Sequence, residues 1–146
     1  MSVIIIAEIG INHNGDMDLA KRLIDACKKA GADYAKFQMR NLKELYRDSD
    51  DYKDEDLSSQ YVLDLLKKFS LTNEELFELF DYCKEIDILP LCTPWDFSSF
   101  NALEEYGISA YKTASADLTN HELLKAIALT GKKMYVSTGM STEKEI

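Results

Sequence analysis

Near its start the chain reads Ile4-Ile5-Ile6-Ala7-Glu8-Ile9-Gly10-Ile11-Asn12-His13-Asn14-Gly15. An apolar run ends in a carboxylate and continues into a loop that is bracketed by two glycines. A strand that is buried on both faces of a parallel sheet has this continuous apolar composition. Burying an ionised carboxylate without a partner costs several kcal/mol. We therefore expect Glu8 to lie where the first strand meets a cleft.

The composition is that of an acidic globular protein. The chain has 146 residues and a formal net charge of −9, with an isoelectric point of about 4.7, and this length predicts one domain. The negative charge disfavours nucleic acid and anionic membranes as partners, because both bind basic patches. The opening apolar run is too short to cross a bilayer, so we expect neither a signal peptide nor a transmembrane segment.

The cysteines indicate a reducing compartment. Cys27, Cys83 and Cys92 show no metal-ligand spacing and cannot all pair with one another. We interpret them as reduced thiols and expect the protein to be cytoplasmic.

Predicted strands alternate with predicted helices along the whole chain. The strands are predicted at residues 3–9, 33–38, 88–93, 110–114 and 133–138. Helices are predicted at 17–30 with Asp16 as N-cap, at 58–69, from a capping box at Thr72, at 98–106, and from a second capping box at Thr119 to about residue 130. Between the second strand and the helix at 58–69 lies an acidic stretch, residues 48–56, which we expect to be a solvated loop or a lid.

Alternating strands and helices form parallel βαβ units with right-handed crossovers. A third capping box, Thr142-Glu143-Lys144-Glu145, is followed by a single residue. We therefore expect residues 1–146 to be the N-terminal portion of a longer protein. The predicted fold is α/β, a partial (β/α)8 barrel of about five parallel strands that is truncated before closure. An open doubly wound sheet is the alternative, but its ligand contacts concentrate at one switch point.

Every predicted strand ends in polar groups, as the active-site rim of a barrel requires. These groups are Glu8, Lys36, Gln38, Thr93, Lys112, Ser137 and Thr138. A lysine inside a buried strand either loses its proton or faces an anion. Ser115 and the segment 137–139 add hydroxyls and a predicted helix N-terminus, so the pattern indicates a phosphate or carboxylate site.

Five segments together resemble the N-acetylneuraminate (sialic acid) synthase family: residues 7–15, Lys36-Phe37-Gln38, Cys92-Thr93-Pro94-Trp95, residues 111–117 and Ser137-Thr138-Gly139-Met140. The resemblance implies a TIM barrel followed by a small antifreeze-like domain that is absent here. It also implies a cytoplasmic transferase of polysaccharide biosynthesis. Such an enzyme condenses phosphoenolpyruvate with an N-acetylated aminosugar, such as N-acetylmannosamine, and releases phosphate.

The resemblance also assigns roles to individual residues. Phosphoenolpyruvate would be bound by Lys36, Thr93, Lys112, Ser115, Ser137 and Gly139. Glu8 and Gln38 would be catalytic and face the sugar, with Glu8 a candidate for proton transfer. Asp117 would contact the sugar, but it stands where the family has Glu, and here the preceding turn is Ala114-Ser115-Ala116.

The resemblance further implies a divalent metal, manganese or magnesium, and a homodimer for the full-length enzyme. The metal-binding histidines would come from later strands, so we expect no metal ligands in residues 1–146 and no turnover by this chain alone. The acceptor sugar is not determined by these residues.

Each assignment has a structural alternative. Glu8 could cap backbone N–H groups, the two lysines could extend to solvent at strand ends, and the hydroxyls could serve as caps. His13 is interpreted as a brace of its loop rather than a metal ligand, His121 as a surface residue, and Trp95 as a packing aromatic rather than a sugar platform.

Two other functions remain open at this point. A Schiff-base aldolase would use Lys112 as its nucleophile. A non-catalytic half-barrel would act as an assembly module, and its open sheet edges would have to be covered by a partner or a second copy.

Overall fold

The computed structural model describes residues 3–45 and 57–146. Within these ranges one sheet contains β1 (Ile6–Gly10), β2 (Tyr34–Met39), β3 (Leu89–Pro94), β4 (Ala110–Lys112) and β5 (Lys133–Tyr135). All neighbouring strands are parallel, and their spatial order follows the chain order. A doubly wound sheet reverses its order at a switch point, whereas a barrel does not. The prediction of a partial (β/α)8 barrel is confirmed.

The helices lie between the strands, as predicted. They are α1 (Met17–Lys29), α2 (Leu42–Leu45), α3 (Leu57–Phe69), α4 (Asn73–Glu85), α5 (Phe97–Tyr106) and α6 (His121–Leu129). A 3-10 turn at Ser115–Thr119 and the short α2 were not predicted. The acidic stretch 48–56 lies outside the described residues.

Of the three caps predicted for helices that lie wholly within the chain, two are found where the sequence placed them. Asp16 accepts a hydrogen bond from the Leu19 N–H, and Thr72 forms the complete reciprocal capping box with Glu75. The cap predicted at Thr119 is wrong, because the 3-10 turn includes that residue. Asn120 is the N-cap of α6 instead, and its side chain accepts from the backbone N–H of the third helical residue.

The observed boundaries of β1, β4 and β5 differ from the predicted ones. The first strand was predicted from residue 3, but Val3 and Ile5 are 84 % and 52 % exposed and precede β1, which lies at an edge of the described sheet. The fourth and fifth strands end earlier than predicted, at Lys112 and Tyr135. A single backbone hydrogen bond continues the ladder, from the Thr113 N–H to the Tyr135 carbonyl at 2.9 Å.

The outer face of the sheet packs against the helices and forms the main core. Phe37, Cys92 and Tyr111 are fully buried there, and the rings of Phe37 and Phe80 of α4 are 5.8 Å apart between centroids. Burying each large apolar side chain contributes about 1.5–3 kcal/mol. This packing holds the strands rigidly, so the side chains on the opposite face have fixed positions.

The inner face of the sheet is divided into two layers. The lower layer is apolar and consists of Ile6, Tyr34, Leu91, Ala110 and Tyr135. Alternation along each strand places the polar residues on the same face, nearer the carboxyl ends. Glu8 lies opposite Lys36 across the β1–β2 pair, so the polar layer begins one step above the apolar one.

The three cysteines are free, as predicted. Burial raises the pKa of Cys83 and of Cys92 to about 12 in each case. These thiols are therefore protonated and unreactive in the folded protein. In the described ranges, no helix has both the length and the apolar character needed to cross a membrane.

Candidate active site

The ion pair between Glu8 and Lys36 lies at the carboxyl ends of β1 and β2. The Lys36 Nζ lies 2.9 Å from Glu8 Oε1 and 2.7 Å from Oε2. The Lys36 side chain is only 7 % exposed, whereas the Glu8 side chain is 55 % exposed. A buried ammonium needs a partner, and Glu8 supplies it while remaining open to solvent, as the sequence predicted.

A bulge in β1 makes room for this carboxylate. Glu8 pairs with Lys36 but Gly10 pairs with Phe37, so Ile9 is an extra residue in β1 and turns into the core. Gly10 has φ +55°, and a Cβ there would lie 3.0 Å from Glu8 Oε1 and 3.3 Å from the side-chain nitrogen of Gln38. Glycine at this position therefore permits both the backbone conformation and the approach of two polar side chains.

Lys112 is held differently, by neutral groups. Its Nζ donates to the Thr113 carbonyl at 2.9 Å and to the Ser137 hydroxyl. Burial lowers the pKa of Lys112, and the positive charge of Lys36 lowers it further, while Glu8 acts in the opposite direction. The two ammonium groups are therefore close enough to repel each other, and both face the same hollow.

This hollow is a cavity of about 290 Å³. It is lined by six of the residues predicted to bind phosphoenolpyruvate or to act in catalysis: Lys36, Gln38, Thr93, Lys112, Ser115 and Ser137. Gly139, a seventh, lies beside it, since a Cβ on Gly139 would be 3.4 Å from Ser115 Oγ. The structure therefore brings the predicted anion site together at one point.

Three buried polar atoms on residues that line the cavity have no hydrogen-bond partner among the described residues. They are Thr93 Oγ1, Thr113 Oγ1 and Trp95 Nε1. Buried polar groups in folded proteins are nearly always paired. These atoms are therefore suited to bind the oxygen atoms of a ligand. Thr113 was not among the predicted site residues, although it lies in the segment 111–117 that carries the resemblance.

Asp117, predicted to contact the sugar, is not among the described residues that line this cavity. It lies in the 3-10 turn and is 8 % exposed. The Asn120 side-chain amide donates to its Oδ1 at 3.5 Å, and burial raises the pKa of the carboxyl group. Its placement is that of a group held inside the turn.

The two histidines lie as predicted. His13 is buried, its Nδ1 accepts from the Gly15 N–H at 3.1 Å, and its ring also hydrogen bonds to the Gly10 backbone. Burial lowers its pKa. The interpretation of His13 as a brace is confirmed, because it fixes the loop that carries Gly10. His121 is exposed.

The sequence reasoning also missed the surroundings of Gln38. Arg40 donates to the Gln38 side-chain oxygen, and its guanidinium lies 4.8 Å from the Trp95 ring centroid. The signal was available, since Arg40 follows the polar end of β2. Trp95 therefore lines the cavity and is also the surface on which an arginine packs.

The fit of a metal ion can be judged from the donor atoms. In residues 3–45 and 57–146 no group of three or more His, Cys, Asp or Glu side chains is placed to hold one. A divalent cation normally takes several such ligands. The described residues therefore do not fit the metal that the resemblance implies.

Two known proteins are similar to nearly the whole of this chain. N,N'-diacetyllegionaminic acid synthase of Campylobacter jejuni is 37 % identical over 147 residues, which cover 98 % of this chain and 44 % of that protein. The spore coat polysaccharide biosynthesis protein SpsE of Bacillus subtilis is 38 % identical over 137 residues, covering 93 % of this chain and 37 % of that protein.

Solved structures give the same relationship. The N-acetylneuraminic acid synthetase from Leptospira borgpetersenii, in complex with citrate, matches with a TM-score of 0.87 and 34 % identity, covering all of this chain and 48 % of that one. This chain spans less than half the length of each of these relatives. The NeuB family model matches residues 23–146. The chain belongs to the NeuB family.

Proposed function

We propose that the 290 Å³ cavity binds phosphoenolpyruvate as one substrate of a synthase that makes a sialic-acid-type nonulosonate. One observation carries this proposal. Lys36 and Lys112, both placed inside strands of an acidic chain, face one cavity that also contains the side chains of Thr93, Ser115 and Ser137. Membership of the NeuB family supports it.

The cavity suits a small molecule with two acidic groups. Phosphoenolpyruvate carries a phosphate and a carboxylate, and ammonium groups form charge-assisted hydrogen bonds to both kinds of oxygen. Lys112 is the stronger candidate for the first contact, because its present partners are neutral. Lys36 is already balanced by Glu8 and would bind the second acidic group from the other side.

The proposed reaction uses the electron pair of the phosphoenolpyruvate double bond to join C3 to the aldehyde carbon of an open-chain N-acetylated aminosugar, and the aldehyde oxygen takes up a proton to become a hydroxyl. C2 is then electron-poor, water adds to it, and phosphate leaves with the bridging oxygen by C–O cleavage. The oxygen from water becomes the new keto oxygen after losing its second proton. Lys36 and Lys112 stabilise the negative charge on the departing phosphate, and the exposed Glu8 carboxylate accepts a proton from the water.

Binding of phosphoenolpyruvate to the 146-residue chain tests the proposal without requiring turnover. We expect amide NMR signals of residues 112–115 and 137–139 to shift on addition of the ligand. Lys112→Met should weaken binding about tenfold to a hundredfold, since hydrogen bonds to charged groups contribute about 1.5–3 kcal/mol. Lys125→Met, an exposed lysine on α6, is the matched control. Signals that do not move at millimolar ligand would contradict the proposal.

The lowered pKa of Lys112 also suits a Schiff-base aldolase, which needs a neutral amine. Borohydride reduction in the presence of pyruvate would trap such an adduct on Lys112. The synthase proposal predicts no added mass. An assembly module predicts no specific binding of phosphoenolpyruvate, so the same titration separates it from the synthase.

A further inference from the structure

His13 binds both ends of the loop that joins β1 to α1. Its Nδ1 accepts from the Gly15 N–H at 3.1 Å, and its ring also hydrogen bonds to the Gly10 backbone. These are the two glycines that bracket the loop. His13 is only 3 % exposed, so both bonds are shielded from water. One imidazole therefore closes the loop from the inside.

The backbone of this loop needs such support. Gly10, Asn14 and Gly15 all have positive φ, at +55°, +53° and +75°. An added Cβ on Gly15 would lie 3.1 Å from the Lys68 carbonyl oxygen, so the loop also packs closely against the end of α3. Rarely populated backbone conformations persist only where the surrounding structure holds them. The two bonds of His13 are part of that restraint.

The same loop supports two side chains at the rim of the phosphoenolpyruvate cavity. An added Cβ on Gly10 would lie 3.0 Å from Glu8 Oε1 and 3.3 Å from Gln38 Nε2, so both side chains rest against the Gly10 backbone. His13 and Gln38 also line one small cavity of about 20 Å³. A displacement of Gly10 would therefore change the positions that Glu8 and Gln38 can occupy.

The hydrogen bond from Gly15 fixes the protonation state of His13. Because Nδ1 is an acceptor, the ring is neutral and its one proton is on Nε2. A second proton, on Nδ1, would point at the Gly15 N–H, and two donors cannot form a hydrogen bond. Protonation of the ring therefore breaks this bond.

Burial opposes protonation of the ring and lowers the pKa of His13, while the bond to Gly10 and the charge of Glu75 act in the opposite direction. Three elements packed around the loop carry charged residues: Glu75 of α4, Arg40 after β2, which lines the small cavity, and Lys68 at the end of α3.

We propose that His13 is a pH-sensitive positioning residue, whose neutral ring holds the loop against Glu8 and Gln38 and whose protonation releases it. This inference rests on the proposed function, since it assumes that Glu8 and Gln38 act at the cavity rim.

Two reporters follow the loop without any ligand. They are the hydrogen-exchange protection factor of the Gly15 amide and the NMR signals of the Gln38 side-chain amide, which does not titrate. As the pH falls through the pKa of His13, read from its ring protons, the Gly15 protection factor should drop about threefold to tenfold, the effect of one lost hydrogen bond. The Gln38 signals should move with the same midpoint.

His13→Asn is the main variant, because the Asn side-chain oxygen can accept from the Gly15 N–H and does not titrate. Both reporters should then be independent of pH over the same range. His121→Asn is the matched control, since His121 is exposed and is the other of the two histidines of the chain. It should behave as the unaltered chain does.

Stability gives a second measurement. Because the pKa of His13 is lowered in the folded protein, the unfolded chain binds this proton more readily. The contribution of the neutral ring is complete above pH 6.5, the ordinary pKa of histidine, and is lost as the pH falls through the lower pKa of the folded protein. Acidification should therefore reduce the free energy of unfolding more in the unaltered chain than in His13→Asn.

Gln38 signals that stay fixed while His13 titrates would overturn the inference, and so would signals that move as much in His13→Asn. Should His13→Asn fail to fold, the unaltered chain decides, because different midpoints for Gln38 and the His13 ring reject the inference.

Titration with phosphoenolpyruvate at neutral pH separates this inference from the proposed function. If the ligand binds but the Gln38 signals do not follow His13, only the inference fails. If the Gln38 signals follow His13 but the ligand does not bind, the proposed function fails and the pH-sensitive loop stands.

Discussion

The two halves of the polar layer hold their lysines in opposite ways. At β1 and β2, Lys36 is almost fully buried and forms an ion pair with both oxygens of Glu8. At β4 and β5, Lys112 is partly buried, and its hydrogen-bond partners among the described residues are the neutral Thr113 carbonyl and Ser137 hydroxyl. The charges of the first half therefore balance, whereas the positive charge of the second half lies beside neutral partners.

This difference suggests a division of labour between two lysines that look alike in the sequence. Under the proposed function, the balanced half would stabilise the fold and keep a carboxylate at the rim for proton transfer, and the unbalanced half would attract the ligand. Changes to Glu8 or its neighbours should therefore alter stability, and changes near Lys112 should alter binding.

The largest expected effect is on stability, from Gly10→Ala. The positive φ and the contact with Glu8 Oε1 should together lower the free energy of unfolding by about 1–3 kcal/mol, measured by urea denaturation. Gly31→Ala is the matched control, because Gly31 has φ +81° and no atom within 4 Å of the added Cβ. If both variants lose the same stability, the Glu8 contact does not matter.

Glu8→Gln should have opposite effects on stability and on ligand binding. Loss of the carboxylate leaves Lys36 buried without its counter-charge, which should cost about 1–2 kcal/mol of unfolding free energy, less than for a fully buried pair because Glu8 is half exposed. The released charge should make phosphoenolpyruvate bind a few-fold more tightly. Glu78→Gln, which breaks the exposed pair with Lys21, should change neither quantity noticeably. Weaker binding of phosphoenolpyruvate by Glu8→Gln would contradict the idea that the Glu8–Lys36 pair serves stability and Lys112 serves binding.

Lys36→Met should raise the pKa of Lys112, because the charge of Lys36 lowers it in the native protein. Binding of an anion needs the Lys112 ammonium, so affinity for phosphoenolpyruvate falls as the pH rises through this pKa. The fall should therefore occur at lower pH in the unaltered chain than in Lys36→Met. NMR titration of the lysine side chains gives the pKa directly, and an unchanged value would show that the two amines do not interact.

Gly139→Ala should have the smallest effect. The added Cβ would lie 3.4 Å from Ser115 Oγ, so the hydroxyl must move by a few tenths of an ångström. We expect phosphoenolpyruvate affinity to fall about twofold to fivefold, with little change in unfolding free energy. A stability loss as large as that of Gly10→Ala would show that residue 139 serves the fold rather than the ligand.

Much of the fold could be predicted because its signals are local. Apolar runs, the caps at Asp16 and Thr72, and the end of the helix predicted at 98–106 each depend on residues close in sequence. The errors arise where a second structure competes for the same residues. Thr119 belongs to the 3-10 turn and therefore cannot be the predicted helix cap. The first strand begins later than predicted, because Val3 has too few neighbours in the described sheet to be buried.

Which residues form the site could also be predicted, but the interactions between them could not. Strand-end polarity identified five residues that line the cavity, and the turn after the fourth strand added Ser115. Nothing in the sequence shows that Glu8 neutralises Lys36 and leaves Lys112 with neutral partners, because that depends on the register between strands distant in the chain. The position of Arg40 just after the polar end of β2 could have indicated that it lies near the site, but its packing on Trp95 depends on another strand end.

The fully buried thiol of Cys92 offers a way to measure how often this sheet opens. A thiol-specific reagent reaches it only when the helices separate from the strands, so its labelling rate reports how often that opening occurs. Cys27, which is only partly buried, should react first and report smaller fluctuations at the surface. A ligand that holds the carboxyl ends of the strands together should slow the labelling of Cys92 far more than the labelling of Cys27.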